Sequence, residues 1–250
     1  MKLQAVLFDV DGTLSETERD GHRVAFNMAF EETGVPWNWD EELYGKLLAV
    51  TGGKERMHYY VEHFLKEDPT KYSEQIPLLH KIKTKHYVSL MGSGRIPLRP
   101  GVHRLLDEIK KAGIKIAIVT TTTPENVYAL VHGTLGPSGM EYFDLVAAGD
   151  IVPKKKPAPD IYHYALEQLN LKPEDTIAIE DSENGLKSSL GACVKTIITV
   201  NGYTEDQDFN GAALVLSDLG EPENPAEIIG VNDSGKTYVN LQLLQTIHAG

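Results

Sequence analysis

Six short apolar runs, "LQAVLFDV", "IKIAIVTT", "DLVAAG", "DTIAIED", "VKTIITV" and "GAALVLSD", recur along the chain, separated by stretches with helix-like spacing. Runs this short and this rich in Val and Ile suit strands covered by helices, so the alternation predicts an α/β fold around a parallel sheet. The segment "PGVHRLLDEIKKAGIK" fits that order, since Pro100 opens an amphipathic helix that breaks at Gly113, just ahead of a strand at 115–120. Only one stretch resists the alternation. Residues 17–96 hold helical patterns such as "RVAFNMAFEETG" and "ERMHYYVEHFLKE" but no convincing strand, and a structureless loop of that length would be improbable. An inserted helical subdomain is therefore expected, hinged at "TLSETE" and "GSGRIPLRPG" where Gly and Pro gather, giving a core of 1–16 and 97–250 and an insert of 17–96. No fixed-period repeat is present, and residues 221–250 offer only a short helix at "NLQLLQTIH".

With 250 residues, 41% hydrophobic and 24% charged, the chain can bury a sizeable core. Its formal charge of −12 argues against an electrostatic grip on nucleic acid or on an anionic membrane, so an anionic small substrate would need its own cluster of positive groups. No apolar run is long enough for a membrane span, and an early strand leaves no room for a signal peptide, so a soluble protein is expected. The single cysteine, Cys193, lies in "GACVKTIITV", where a buried inert thiol in a reducing compartment is expected.

The first run ends in "LFDVDGTLSE", with Asp9 and Asp11 on the same side of an extended strand. A hairpin at Asp11-Gly12 lacks a second alternating strand, and an EF-hand loop needs its glycine at the sixth position, whereas Gly12 is fourth from Asp9. An incidental strand-to-helix turn stays possible for this stretch alone. The functional alternative is that a hard divalent cation, Mg²⁺, offsets two adjacent carboxylates and positions a phosphate. More acids should then arrive from another strand end, and "TIAIEDSENG" supplies Glu180 and Asp181. Thr120 ends the strand of "IAIVTTTTPENV", and Lys156 precedes the prolines of "KKKPAPDIY". Alone, Thr120 would be a turn residue and Lys156 a solvated charge. In order at strand ends, acid pair, threonine, lysine and acid pair form a set that chance rarely supplies.

At these residues the sequence resembles the haloacid dehalogenase-like phosphohydrolase superfamily, through "DVDGTL", Thr120, Lys156 and "EDS". The resemblance implies a doubly wound Rossmann-like core with an α-helical cap. It also implies a phosphatase in which Asp9 is the nucleophile, Asp11 moves protons, and Thr120 and Lys156 steady the phosphoryl group. Mg²⁺ would be held by Asp9, the Asp11 carbonyl and Asp181, with Glu180 close by. Cys193 departs from the family pattern, where Gly is expected. The stretches "SETERDGHRVAFN", "TGGKER" and "TTTTPENV" further resemble the CbbY-like branch, itself similar to β-phosphoglucomutases.

That branch resemblance implies a phosphorylated sugar as partner, with xylulose 1,5-bisphosphate hydrolysed at its 1-phosphate to protect Rubisco. Glu18, His22, Arg23, Gly53, Lys54, Arg56, Thr121 and Asn126 would meet this substrate. Gly52 and Gly53 permit close backbone approach there, and Lys54 with Arg56 suits a second phosphate. A phosphomutase and a non-catalytic phosphosugar-binding regulator stay open as alternatives. A monomer is expected, in a bacterial cytoplasm or, after removal of a transit peptide, in a plastid stroma.

Overall fold

A computed structural model describes residues 2–230 and 235–250, so residues 1 and 231–234 of the expected core lie outside the described residues. Six parallel strands form one sheet: β1 (Ala5–Phe8), β2 (Lys115–Val119), β3 (Leu145–Ala147), β4 (Thr176–Glu180), β5 (Lys195–Thr199) and β6 (Leu214–Leu216). Their spatial order is β3-β2-β1-β4-β5-β6. The chain moves outward on one side of β1 and then returns to build the other side, so the strand order reverses between β1 and β4. Ligands in open α/β sheets bind at the carboxyl ends of such a reversal.

Both faces of the sheet are covered, which explains why its strands read as continuous apolar runs. Val6 and Phe8 of β1 pack with Leu105, Ile109, Val127 and Leu130, from α5 (Val102–Lys111) and α6 (Pro124–Leu135). Ala5 and Leu7 face the opposite way, toward Ile161, Tyr162 and Leu166 of α7 (Asp160–Leu169). This is the two-residue period of a strand, realised as two separate apolar cores. Helix α9 (Leu241–Ala249) stands where "NLQLLQTIH" predicts a helix, and it sends Leu244 into the first core. The short ribbon of β7 (Ala226–Glu227) and β8 (Lys236–Thr237) has no counterpart in the sequence reading, because two-residue strands leave no periodic signal.

Between β1 and α5 the chain winds into α1 (Arg23–Glu32), α2 (Glu41–Leu47), α3 (Gly53–Tyr60) and α4 (Gln75–Gly92). This helical insert has a core of its own, in which Phe26, Phe30, Trp37, Trp39, Tyr44 and Tyr60 stack edge to face or tilted. Ala25, Tyr87 and Met91 belong instead to the main core, so the insert is rooted in the sheet layer.

Three strand-feeding helices end alike. After α5, α7 and α8 (Glu183–Gly191) the backbone enters the left-handed region, at Gly113, Asn170 and Cys193 respectively. The following amide bonds back to the helix in each case, as Val194 N does to Ser189 O. The left-handed cap turns the Cys193 side chain outward, so the thiol is exposed, which corrects the expectation of a buried cysteine. It also gives the physical reason that glycine is expected there.

Candidate active site

The carboxyl ends of β1, β2 and β4 converge on one group of charges. Asp9 extends the β1 ladder by one bond, its N–H donating to Ile179 O at 3.0 Å, and its side chain is buried. Glu180 ends β4 and Asp181 follows it; ligand oxygens of Asp9, Glu180 and Asp181 lie within 4.8 Å of one another. Lys156 Nζ donates to Asp9 Oδ1 (2.7 Å), Glu180 Oε1 (2.6 Å) and Val119 O (2.8 Å), the last at the end of β2. The three ammonium donors therefore tie three strand ends together.

Positive charge falls short of negative charge in this cluster. Burial, reinforced by Glu180 and Asp11, pushes Asp9 up to about 8 against the opposing pull of Lys156. Burial with Asp9 and Glu180 pushes Asp181 up as well. Burial alone would lower the Lys156 ammonium, but the carboxylates of Asp9 and Glu180 outweigh it and hold the charge in place. Glu180 Oε2 is buried without a hydrogen-bond partner among the described residues. Three buried oxygen donors with one cationic side chain between them fit a hard divalent cation. The loops leave room for the acids: a Cβ on Gly12, whose φ is +83°, would stand 2.2 Å from Asp181 Oδ2. Asn201 steadies that carboxylate by donating from Nδ2 at 2.7 Å.

Asp11 faces a different set of partners. Thr17 Oγ1 donates to its Oδ1 at 2.5 Å, and His22 Nε2 lies 2.8 Å from the same oxygen. His22 Nδ1 in turn meets Lys83 Nζ, and its ring stacks on Tyr87 at 4.1 Å between centroids. An ammonium at Nδ1 leaves that nitrogen as acceptor and makes Nε2–H the donor to Asp11. Burial would raise Asp11, but His22, Thr17 and Lys83 outweigh it and hold the carboxyl at about 2. Lys83 is itself pushed down to about 8, chiefly by burial. Two carboxyls two residues apart thus sit in opposite electrostatic surroundings.

A cavity of about 430 Å³ lies between the strand ends and the helical insert, lined by Asp9, Asp11, Thr120, Thr121, Lys156 and Asp181 below and by Glu18 and Arg56 above. Tyr44 OH donates to Glu18 Oε2 at 2.5 Å and accepts from Arg56 Nη1 at 2.6 Å, which fixes both side chains at the rim. Beside it, a smaller cavity of about 50 Å³ is lined by Gly53, Lys54, Arg56, His80, Asn126 and Lys155, among others. Burial, together with Lys83, Lys54 and Lys155, pushes His80 down to about 4, so the ring is neutral amid cations. Lys155 of this second cavity is itself paired, with Glu55 at 2.8 Å and with Asp150 at 2.9 Å.

Of the residues singled out in the sequence, Glu18, His22, Gly53, Lys54, Arg56, Thr121 and Asn126 line one or both cavities. Thr120 Oγ1 accepts from Thr122 N at 3.2 Å at the end of β2, and Asn126 Nδ2 donates to Thr122 Oγ1 at 3.0 Å. Lys54 is ion-paired to Asp150 across the cleft at 2.8 Å. Arg23 does not join the site: its guanidinium turns to Arg19 O (3.2 Å), Trp39 O (3.4 Å) and Glu41. The helical backbone turns it roughly 100° away from His22, so adjacent residues diverge. Tyr44, His80, Lys83, Lys155 and Asn201 are brought in by the fold and escape the sequence reading. A lysine within the apolar pattern of α4 was the one local signal, at Lys83.

The comparisons with known proteins agree with this architecture. Residues 3–192 match the profile of the haloacid dehalogenase-like hydrolases. A plasmid-encoded CbbY protein from Cupriavidus necator is 45% identical over 250 residues, covering 99% of this chain and 98% of its own. A crystal structure of mutant CbbY from Rhodobacter sphaeroides, in complex with xylulose 1,5-bisphosphate, is 44% identical with a TM-score of 0.80, covering 86% of this chain and 94% of its own. β-Phosphoglucomutase from Clostridium difficile shares the fold at 21% identity, with a TM-score of 0.74 over 99% of this chain and 97% of its own.

Proposed function

The chain belongs to the haloacid dehalogenase-like hydrolase family, and we propose that it is a Mg²⁺-dependent sugar-bisphosphate phosphatase, with xylulose 1,5-bisphosphate cleaved at its 1-phosphate. The observation that carries the reading is the opposite environment of Asp9 and Asp11 at one strand end. Asp9 is held by Lys156 within the acid cluster, and Asp11 by His22 and Thr17 outside it. One carboxyl lies where a bound cation would offset the crowding that raises it and leave it ionised for attack, and the other lies outside that cluster, free to move protons. Kinship with CbbY, whose mutant structure carries that bisphosphate, supports the substrate.

In this mechanism an Asp9 carboxylate oxygen bonds to phosphorus while the bond from phosphorus to the sugar oxygen breaks. Asp11 gives a proton to the departing oxygen. Its carboxyl is ionised in the ligand-free arrangement, but an arriving phosphoryl group sets negative charge beside it and raises its proton affinity. Asp11 then takes a proton from water as the water oxygen bonds to phosphorus, and the Asp9–phosphorus bond breaks to release phosphate and restore Asp9. Thr120 and Lys156 hold the transferring oxygens. Asp9, Asp181 and the Asp11 carbonyl, with Glu180 beside them, would hold Mg²⁺, which supplies charge neutralisation at the phosphoryl group.

The helical segment 17–96 acts as a cap in this reading and selects the non-reacting end of the substrate. Glu18 accepts hydrogen bonds from sugar hydroxyls, while Arg56, Lys54 and Lys155 meet the distal phosphate, the two lysines exchanging Asp150 and Glu55 for it. The resulting role is removal of a bisphosphate that inhibits Rubisco, in a bacterial cytoplasm or plastid stroma. No helix among the described residues is long and apolar enough to cross a membrane. Profiling phosphate release over a panel of sugar bisphosphates and monophosphates tests the proposal. Preference for xylulose 1,5-bisphosphate is expected; conversion of β-glucose 1-phosphate to glucose 6-phosphate without net phosphate release would assign a phosphomutase instead.

A further inference from the structure

The helical insert joins the sheet through two linkers that run side by side, and one side chain grips both. Ser15 on the outgoing linker forms an antiparallel bridge with Leu98 on the return, and Arg99 N donates to Leu14 O at 2.9 Å. The guanidinium of Arg99 is buried, and the four N–H groups of its two terminal nitrogens all have main-chain acceptors. Nε lies 2.9 Å from Glu16 Oε1 on the outgoing linker. Nη1 donates to Gly12 O and to Thr199 O (3.0 Å), and Nη2 donates to Val200 O (2.5 Å) and Ser217 O (2.6 Å). Four main-chain carbonyls from three strand ends thus converge on one fork.

Two of these carbonyls belong to backbone that bears directly on the acid cluster. Gly12 follows Asp11 and lies so close beneath the second acid loop that a Cβ would stand 2.2 Å from Asp181 Oδ2 and 2.6 Å from Asn201 Nδ2. Val200 precedes Asn201, whose amide holds Asp181. We propose that Arg99 is a positioning residue for the reaction: it fixes Gly12 and Val200 beneath Asp11 and Asp181, and couples that register to the two linkers of the helical insert. It touches neither the substrate cavity nor the acids themselves. A lysine offers three donors on a point charge and cannot reproduce a planar fork that serves four carbonyls at once.

Substitution by Lys and by Gln tests the role, with two readouts. Hydrogen exchange, measured without substrate, is expected to quicken by at least about tenfold at residues 11–15 and 201–204 while amides of β2 and α1 keep their protection. The kinetic arm rests on the phosphatase reading: kcat for phosphate release should fall by at least about tenfold while KM stays within about threefold. Wild-type kcat in a folded Arg99→Lys, or exchange quickening equally across the chain, would overturn the proposal. If Arg99→Gln does not fold, Arg99→Lys decides alone. Glu16→Gln alters a half-exposed partner and leaves the core intact; it should loosen residues 14–16 and 98 only, and no change there would refute the linker coupling. Absence of phosphatase activity in the wild type would sink the functional reading while leaving the exchange result to decide this one.

Discussion

Replacing Lys83 with Met should make the protein more stable and less active, and the gain should fade as pH rises. The Lys83 ammonium is buried between the faces of Phe26 and Tyr87, and burial is the largest influence that pushes it from 10.5 down to about 8. The unfolded chain therefore binds this proton more tightly than the folded one, so wild-type stability rises with pH between about 8 and 10.5. At pH 7 the full penalty applies, about 3 kcal/mol for a shift of that size. Loss of the contact with His22 offsets about 1 kcal/mol of this, leaving the variant ahead by about 2 kcal/mol. By pH 9.5 most of the wild-type lysine has shed its proton and the advantage should have shrunk by about 2 kcal/mol. Urea unfolding of both proteins from pH 7 to 9.5 measures the difference, and ionisations common to both cancel. With Nδ1 of His22 unpartnered, its tautomer is no longer fixed toward Asp11, and kcat should fall by about tenfold or more. A stability difference that is constant with pH, or that widens in the variant's favour, would refute a buried ammonium at this position.

Cys193→Gly should stabilise the fold by about 0.5–1 kcal/mol, because the left-handed backbone there disfavours any side chain; equal urea midpoints would contradict this. Arg56→Ala should raise KM for a sugar bisphosphate by about tenfold or more and much less for a monophosphate, and equal effects would remove Arg56 from the distal-phosphate site. Mg²⁺ should raise the melting temperature of the wild type and do so less for Asp181→Asn, as expected when a cation relieves the crowding of three buried acids. Equal shifts in both would place the cation elsewhere.

The sheet was legible in the sequence because strands covered on both faces are apolar throughout, and all six runs proved to be parallel strands. The acids, threonine and lysine at the strand ends were legible for a related reason: each sits at the end of a run, where local order along the chain already implies shared space. The insert side of the cleft was harder. Arg23 and His22 are neighbours in sequence, yet only His22 turns to Asp11, and helix rotation decides which. Tyr44, His80 and Lys83 reach the cleft by packing between helices far apart in sequence, which no short-range pattern encodes. The exposed Cys193 was missed because its setting is decided by one φ angle, not by the apolar residues around it.

The most direct test of the account is whether phosphate passes through Asp9. Reaction of the wild type with Mg²⁺ and xylulose 1,5-bisphosphate, quenched in acid and digested for mass spectrometry, should place a phosphoryl group on the peptide containing Asp9. Asp9→Asn should fold normally and release no phosphate. Phosphate release by Asp9→Asn at the wild-type rate would contradict the mechanism at its first step.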